Sequence, residues 1–305
     1  MNRMHILAIL AATAAAPAAT SAVAARDRVD KSEIDRASLC GIGRPPSCGI
    51  KTAVARGMFE TGLRPQFAAN VRCRGIDENW AINYTYKRDR EAYHGGIDMP
   101  APFGTPIVAA ASGTVVGVYS DPDSYRGIEV ILRHTPQDTG IPLYIYTVYA
   151  HLEKKPTLSV GDRVRLGDVV GLTGNTGRTP ERRRGRRQGG DRRGRSGGRG
   201  NLAGDGGGSG RLGGGGSQGR RPAVHFAVYY SASPKYAALP QIVIPADGYW
   251  MDPNALYRGR PPFDSNSVRA LPAAEKRVPI PYMLPNHEVF PAGTKLIWPY
   301  TCTPR

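Results

Sequence analysis

The residues of this chain best suited to chemistry are histidines, and two of them stand in informative company. His94 and Asp98 lie in the run Tyr93-His-Gly-Gly-Ile-Asp98. A histidine and an aspartate four residues apart can share one side of either a strand or a helix. Gly95 and Gly96 argue against a helix and let the backbone approach a neighbour closely. Imidazole and carboxylate together suit zinc. Alone, such a spacing is more often a surface turn, so its weight depends on a third partner. His225 offers one. It lies in Ala223-Val-His-Phe-Ala-Val228, a strand-like run that sets His225 on the opposite face from Val224 and Phe226. Two imidazoles and one carboxylate leave the fourth position of a tetrahedral zinc open, which is the pattern of a catalytic site. His151 closes another strand-like run, Tyr149-Ala-His-Leu152, and is a candidate acid or base. His134 and His287 carry no comparable pattern and read as ordinary structural or surface histidines.

The elements that must position these residues are strands. Residues 76–177 alternate short runs rich in Val, Ile, Tyr and Thr with Gly, Asp and Pro turns: Pro106–Val118, Gly127–His134, Leu143–His151 and Arg163–Thr173. That punctuation predicts a mainly β, largely antiparallel core. Val164 and Val169–Leu172 around Gly167-Asp168 predict a hairpin. Residues 25–75 read as an N-terminal extension with one short helix near residues 47–61. The core domain spans 76–232, and residues 233–305 form a Pro-rich C-terminal extension that wraps it.

One segment breaks the pattern. Residues 178–221 hold 17 Gly and 13 Arg against three acids, with almost nothing apolar. Such a composition cannot offset its chain entropy by burial and is expected to be disordered. It reads either as a flexible insertion or as an out-of-frame translation of GC-rich DNA. The formal net charge of +16 is concentrated there. An Arg/Gly tract can bind RNA, but this one lacks aromatic residues for base stacking, so no nucleic-acid partner is expected.

Residues 1–24 read as a secretory signal: Arg3, an apolar stretch from Ile6 to Ala16, then Ala22-Val-Ala24 as a small-x-small cleavage site. The expected destination is periplasmic or extracellular, with no membrane span after cleavage. The four cysteines, Cys40, Cys48, Cys73 and Cys302, then favour disulfides. Cys40 and Cys48 bracket a short Gly/Pro loop, so the expected pairing is Cys40–Cys48 and Cys73–Cys302.

Several motifs in order resemble the lysostaphin/LytM-type zinc metallopeptidases, which cut peptidoglycan cross-links. They are His94-Gly-Gly-Ile-Asp98, Gly104-Thr-Pro-Ile-Val-Ala-Ala-Ala-Ser-Gly113, Tyr149-Ala-His151-Leu, Val160-Gly-Asp-Arg-Val164, Gly171-Leu-Thr-Gly174-Asn-Thr-Gly177 and Val224-His225-Phe226. The resemblance implies a compact antiparallel β-sheet or barrel-sandwich-like fold with the metal in a groove, that His94, Asp98 and His225 hold Zn2+ and that His151 is a catalytic histidine beside it. It implies peptidoglycan as substrate and other cell-wall enzymes as further partners. One departure matters. The family ends on H-x-H, with a second catalytic histidine first, and here that position is Ala223. Two functions follow: an endopeptidase weakened by Ala223, or an impaired relative that regulates or binds cell-wall hydrolases.

Overall fold

The structure, a computed structural model, describes residues 26–88, 90–178 and 220–305. The signal at 1–24 and residues 179–219 of the Arg/Gly segment lie outside the described residues.

The strands are β1 (Ile97–Pro100), β2 (Pro106–Val108), β3 (Gly113–Tyr119), β4 (Glu129–His134), β5 (Tyr144–Ala150), β6 (Arg163–Val164), β7 (Val169–Leu172), β8 (Ala223–Ser231) and β9 (Tyr249–Met251), with further short strands in the flanking segments. The main antiparallel sheet runs β9-β8-β5-β4-β3-β6, with β1 also paired to β8. On one edge β8 pairs with β5 over residues 225–231. On its other edge it meets β1 over 223–226 and β9 over 228–230. β-Branched and aromatic residues dominate these strands, and both faces are covered: every residue of β4 and all but the first of β5 are buried.

The core is mainly β and antiparallel, as expected, and its main sheet is open rather than closed into a barrel, ending on the two-residue β6 and the three-residue β9. Two expectations need correction. The run at 106–118 is two strands. Ala109–Ala111 between them are buried small residues that carry the chain from β2 to β3. Gly167-Asp168 does form a turn, closed by Asp168 N–H to the Arg165 carbonyl. Its flanks are not hairpin partners, however. β6 pairs with β3, whereas β7 pairs with β2. The local turn signal is real, but the longer-range ladders decide the pairing.

The flanking segments share this core. Ile34, Ile42 and Met58 from the N-terminal side and Tyr257, Trp298 and Tyr300 from the C-terminal side belong to the same buried cluster as β4, β5 and β8. Trp250 donates its indole N–H to the Gly41 carbonyl, and Trp298 donates to the Arg74 carbonyl. Disulfides join Cys40 to Cys48 and Cys73 to Cys302. The short helix expected near residues 47–61 is Ile50–Ala55, and a second one, Arg36–Gly41, precedes it.

Candidate metal centre

Strand register assembles the site. His225 on β8 lies directly opposite Asp98 on β1 and, across the other edge, opposite Ala150 on β5. His94 precedes β1 by a tight Gly-Gly passage, and His151 follows β5. Four residues from three chain segments therefore meet at one end of the sheet. All four are buried.

His94 Nε2, Asp98 Oδ1 and His225 Nδ1 form a nearly equilateral triangle. Its edges are 3.1 Å between the imidazoles, 3.2 Å from His94 to Asp98 and 2.9 Å from His225 to Asp98. Bonds of about 2.0–2.2 Å to a tetrahedral zinc would set such ligand atoms about 3.3–3.6 Å apart, only a few tenths of an ångström beyond these edges, so the donor set fits zinc in type and nearly in spacing. Among the described residues this is one group of His, Cys, Asp or Glu that offers three convergent ligand atoms. His94 Nδ1 donates to the Asn79 carbonyl at 2.9 Å. That bond fixes the tautomer and leaves the Nε2 lone pair facing the triangle.

Close approach depends on Gly96. A Cβ there would come within 2.6 Å of His225 Cε1 and 2.7 Å of the Phe226 carbonyl oxygen. Gly96, inside the H-x-x-x-D pattern, is thus explained by the imidazole packed on it, and Gly95 by the Trp250 ring, which a Cβ there would meet at 2.8 Å.

His151 sits beside the triangle, its ring centre 5.7 Å from that of His225. Its backbone is left-handed, with φ of 63°. A non-glycine residue there costs on the order of 1 kcal/mol and is held only when its surroundings demand it. Here its N–H is bound by the Arg126 carbonyl, and its Nδ1 donates to the Thr176 carbonyl at 2.8 Å. Nε2 is left as the free ring nitrogen. Burial, and then the charge of Arg220, hold this imidazole well below the usual histidine range, so it is neutral and basic in form. Burial opposes ionisation of Asp98, but His94 and His225 outweigh it and hold the carboxyl well below the usual range. Burial lowers His225 to about 4, against the pull of Asp98.

The other histidines lie elsewhere. His134 is buried between the Ser112 carbonyl and the Thr147 hydroxyl, and His287 is exposed. Ala223 is buried on β8, two residues before His225 and on the same side of the strand.

Sequence reading missed one participant and misplaced it. Arg220 falls inside the segment expected to be disordered, yet its guanidinium lies 3.3 Å from Asp98 Oδ2. Arg221 pairs with Asp77. The C-terminal end of that segment is therefore held by two ion pairs, which correct the boundary at 221. An arginine among thirteen in a tract gives no signal of its own. Only its place just before the His225 strand could have singled it out.

Residues 92–184 match the family model described as peptidase family M23. The chain carries a peptidase family M23 domain. The match includes His94, Asp98 and His151 and ends before β8. In sequence the M23 domain resembles two proteins of Vibrio cholerae serotype O1. They are the peptidoglycan DD-endopeptidases ShyA, 34% identical over 110 residues (34% of this chain, 23% of the relative), and ShyC, 39% identical over 85 residues (28% and 17%). It also resembles the DD-carboxypeptidase/endopeptidase Mpg of Neisseria gonorrhoeae, 36% identical over 86 residues (28% and 17%). The matched part spans less than a quarter of the length of these relatives. Among solved structures, similarity extends to the catalytic domain of lysostaphin from Staphylococcus simulans, 21% identical, covering 45% of this chain and 68% of that one, with a TM-score of 0.28. A zinc-containing peptidase from Vibrio cholerae is 22% identical, covering 57% and 36%, with a TM-score of 0.30.

Proposed function

We propose that the protein is an exported zinc metalloendopeptidase that hydrolyses peptide cross-links of peptidoglycan. The observation that carries this reading is the triangle of His94, Asp98 and His225 with a neutral His151 beside it. The relatives named as peptidoglycan endopeptidases point to the substrate.

In this reading His94 Nε2, Asp98 Oδ1 and His225 Nδ1 hold the zinc. When bound, it supplies Lewis acidity that activates water and polarises a carbonyl. The chain's own residues do the rest. The Asn79 carbonyl keeps His94 oriented, and the antiparallel ladder between β1 and β8 keeps Asp98 opposite His225. His151 takes the proton of the attacking water on Nε2, because Nδ1 is committed to the Thr176 carbonyl. It later returns that proton to the leaving amine. Relay groups of this kind contribute about 10²–10⁴-fold in rate.

Ala223 favours a second reading, an impaired relative that binds or regulates cell-wall hydrolases. Zinc-loaded protein incubated with isolated peptidoglycan, with and without chelator, separates the two. Chelator-sensitive release of cross-link peptides, read by mass spectrometry, is the expected result. Zinc bound at one equivalent with nothing released would move the assignment to the regulator.

A further inference from the structure

Among the described residues, Arg220 pairs with the ligand triangle from outside the ligand set. Its Nη2 reaches Asp98 Oδ2, the carboxylate oxygen turned away from the two imidazoles. One guanidinium nitrogen is thereby fixed. Among the described residues, Nε and Nη1 have no hydrogen-bond partner, so donors of the rigid fork remain to be used. The side chain is 21% exposed where Asp98 is 7% exposed, which sets the guanidinium at the mouth, between the buried carboxylate and solvent.

Its placement complements His151. Asp98 flanks His225 across one edge of β8, and Ala150, which leads into His151, flanks it across the other. The base and the carboxylate that holds the guanidinium thus come from the two chain segments that flank β8. The guanidinium charge is the largest influence on His151 after burial. Ala223 points to the same side of β8 as His225 and provides no donor.

We propose that Arg220 is a catalytic residue, whose guanidinium donates to the scissile carbonyl oxygen as negative charge develops there, in the role left open by alanine at position 223. As the water oxygen bonds to the carbonyl carbon, the C=O π pair moves onto the carbonyl oxygen and His151 takes the water's proton. The guanidinium, still held by Asp98, meets the new charge with no reorganisation of its own. This assignment rests on the endopeptidase reading above.

The test compares Arg220→Ala and Arg220→Lys with the wild type. The readouts are peptidoglycan cleavage, zinc affinity by chelator competition, and, at saturating zinc, affinity for a phosphinate analogue of alanyl-alanine. Removing one such donor costs about 10²–10³-fold in kcat. Arg220→Ala is expected to lose that much with KM changed by less than about threefold, and to lose phosphinate affinity in parallel. Arg220→Lys recovers part of both. Ala223→His restores about tenfold or more in the Arg220→Ala background and adds little to the wild type. Unchanged phosphinate affinity in Arg220→Ala overturns the proposal. If zinc affinity alone falls, the residue only orients Asp98; if cleavage rises, it is a plug. Arg220→Met, which keeps the aliphatic stem, stands in if the alanine variant does not fold. A wild type that cleaves nothing would overturn the endopeptidase reading and this assignment with it, whereas cleavage by the wild type with unchanged phosphinate affinity in Arg220→Ala overturns this assignment alone.

Discussion

His225 Nδ1 lies 2.9 Å from Asp98 Oδ1, across two strands whose register places the residues directly opposite each other. The separation of these two ligand atoms is therefore set by the β-ladder rather than by long flexible side chains. A site built on strands is rigid before any metal arrives. Its weak point is the one contact in which the backbone yields room to the imidazole, at Gly96. Gly96→Ala places a methyl 2.6 Å from the His225 ring. Either the ring or the β1–β8 ladder must shift. Zinc affinity is expected to fall by about 10–100-fold, as when a metal ligand loses its support. Overpacking should cost about 1–3 kcal/mol in the metal-free protein. Chelator competition and thermal melting check both. In the wild type, zinc at 100 times its Kd should add about 2.7 kcal/mol of stability that chelator removes. Gly96→Ala should need far more zinc for the same gain.

His151→Ala separates chemistry from metal binding. The imidazole lies outside the ligand triangle, so zinc affinity should stay within about threefold while kcat falls by about 10²–10⁴-fold. Alanine also inherits a left-handed backbone at φ of 63°, so a small loss of stability is expected with it. His151→Gly relieves that strain and serves as the control: it should melt higher than the alanine variant yet cleave no better. A glycine variant that cleaves at the wild-type rate would remove His151 from the reaction.

How much of this was legible beforehand follows from what each residue needs. His94, Asp98, His151 and His225 announce themselves because short motifs hold them: a Gly-Gly passage, a strand end, an alternating run. The strand runs at 127–134 and 143–151 were legible because β-branched and aromatic residues cluster there. The partners of β6 and β7 were not, since a turn at Gly167 is compatible with either pairing and only long-range contacts choose. Asn79 and Thr176 act through backbone carbonyls, which no side-chain pattern reveals. Arg220 was hidden by composition: an Arg/Gly tract expected to be disordered obscured its final residues, which are held by Asp98 and Asp77 from elsewhere in the chain.

The two disulfides should differ in value. Cys73–Cys302 spans 229 positions of sequence and Cys40–Cys48 spans 8. In the chain-entropy account the constraint on the unfolded state grows with loop length, giving about 5 kcal/mol for the long loop and roughly half that for the short one. Cys302 is fully buried against Val71 and Tyr282, so its loss also loosens packing between the two ends of the chain. Denaturant titration of Cys73→Ser/Cys302→Ser and Cys40→Ser/Cys48→Ser should show the larger drop for the first. Equal drops would mean that the unfolded chain retains structure that already brings its ends together.

His134 gives the fold a pH dependence separable from the metal site. Its Nδ1 must carry the proton, because the Ser112 carbonyl only accepts, and Nε2 faces the Thr147 hydroxyl. The imidazole is fully buried in neutral form, and burial pulls its pKa down to about 4 from an ordinary 6.5, against the Ser112 bond and Asp138. Arg163 and Arg133 push it the same way as burial does. The unfolded chain therefore binds a proton at this site between pH 6.5 and 4 that the folded chain refuses. Above 6.5 the residue is neutral in both states and adds no slope. Below 6.5 it drains stability at up to about 1.4 kcal/mol per pH unit, levelling off near pH 4. His134→Gln should lose about 1–3 kcal/mol at pH 7 from the disturbed hydrogen bonds. Its stability should then fall less steeply than the wild type's as pH drops from 6.5 to 4. Urea titrations of both proteins at half-unit steps, with chelator present throughout, measure the difference. Parallel curves would mean that His134 is protonated in the folded state as readily as in the unfolded one.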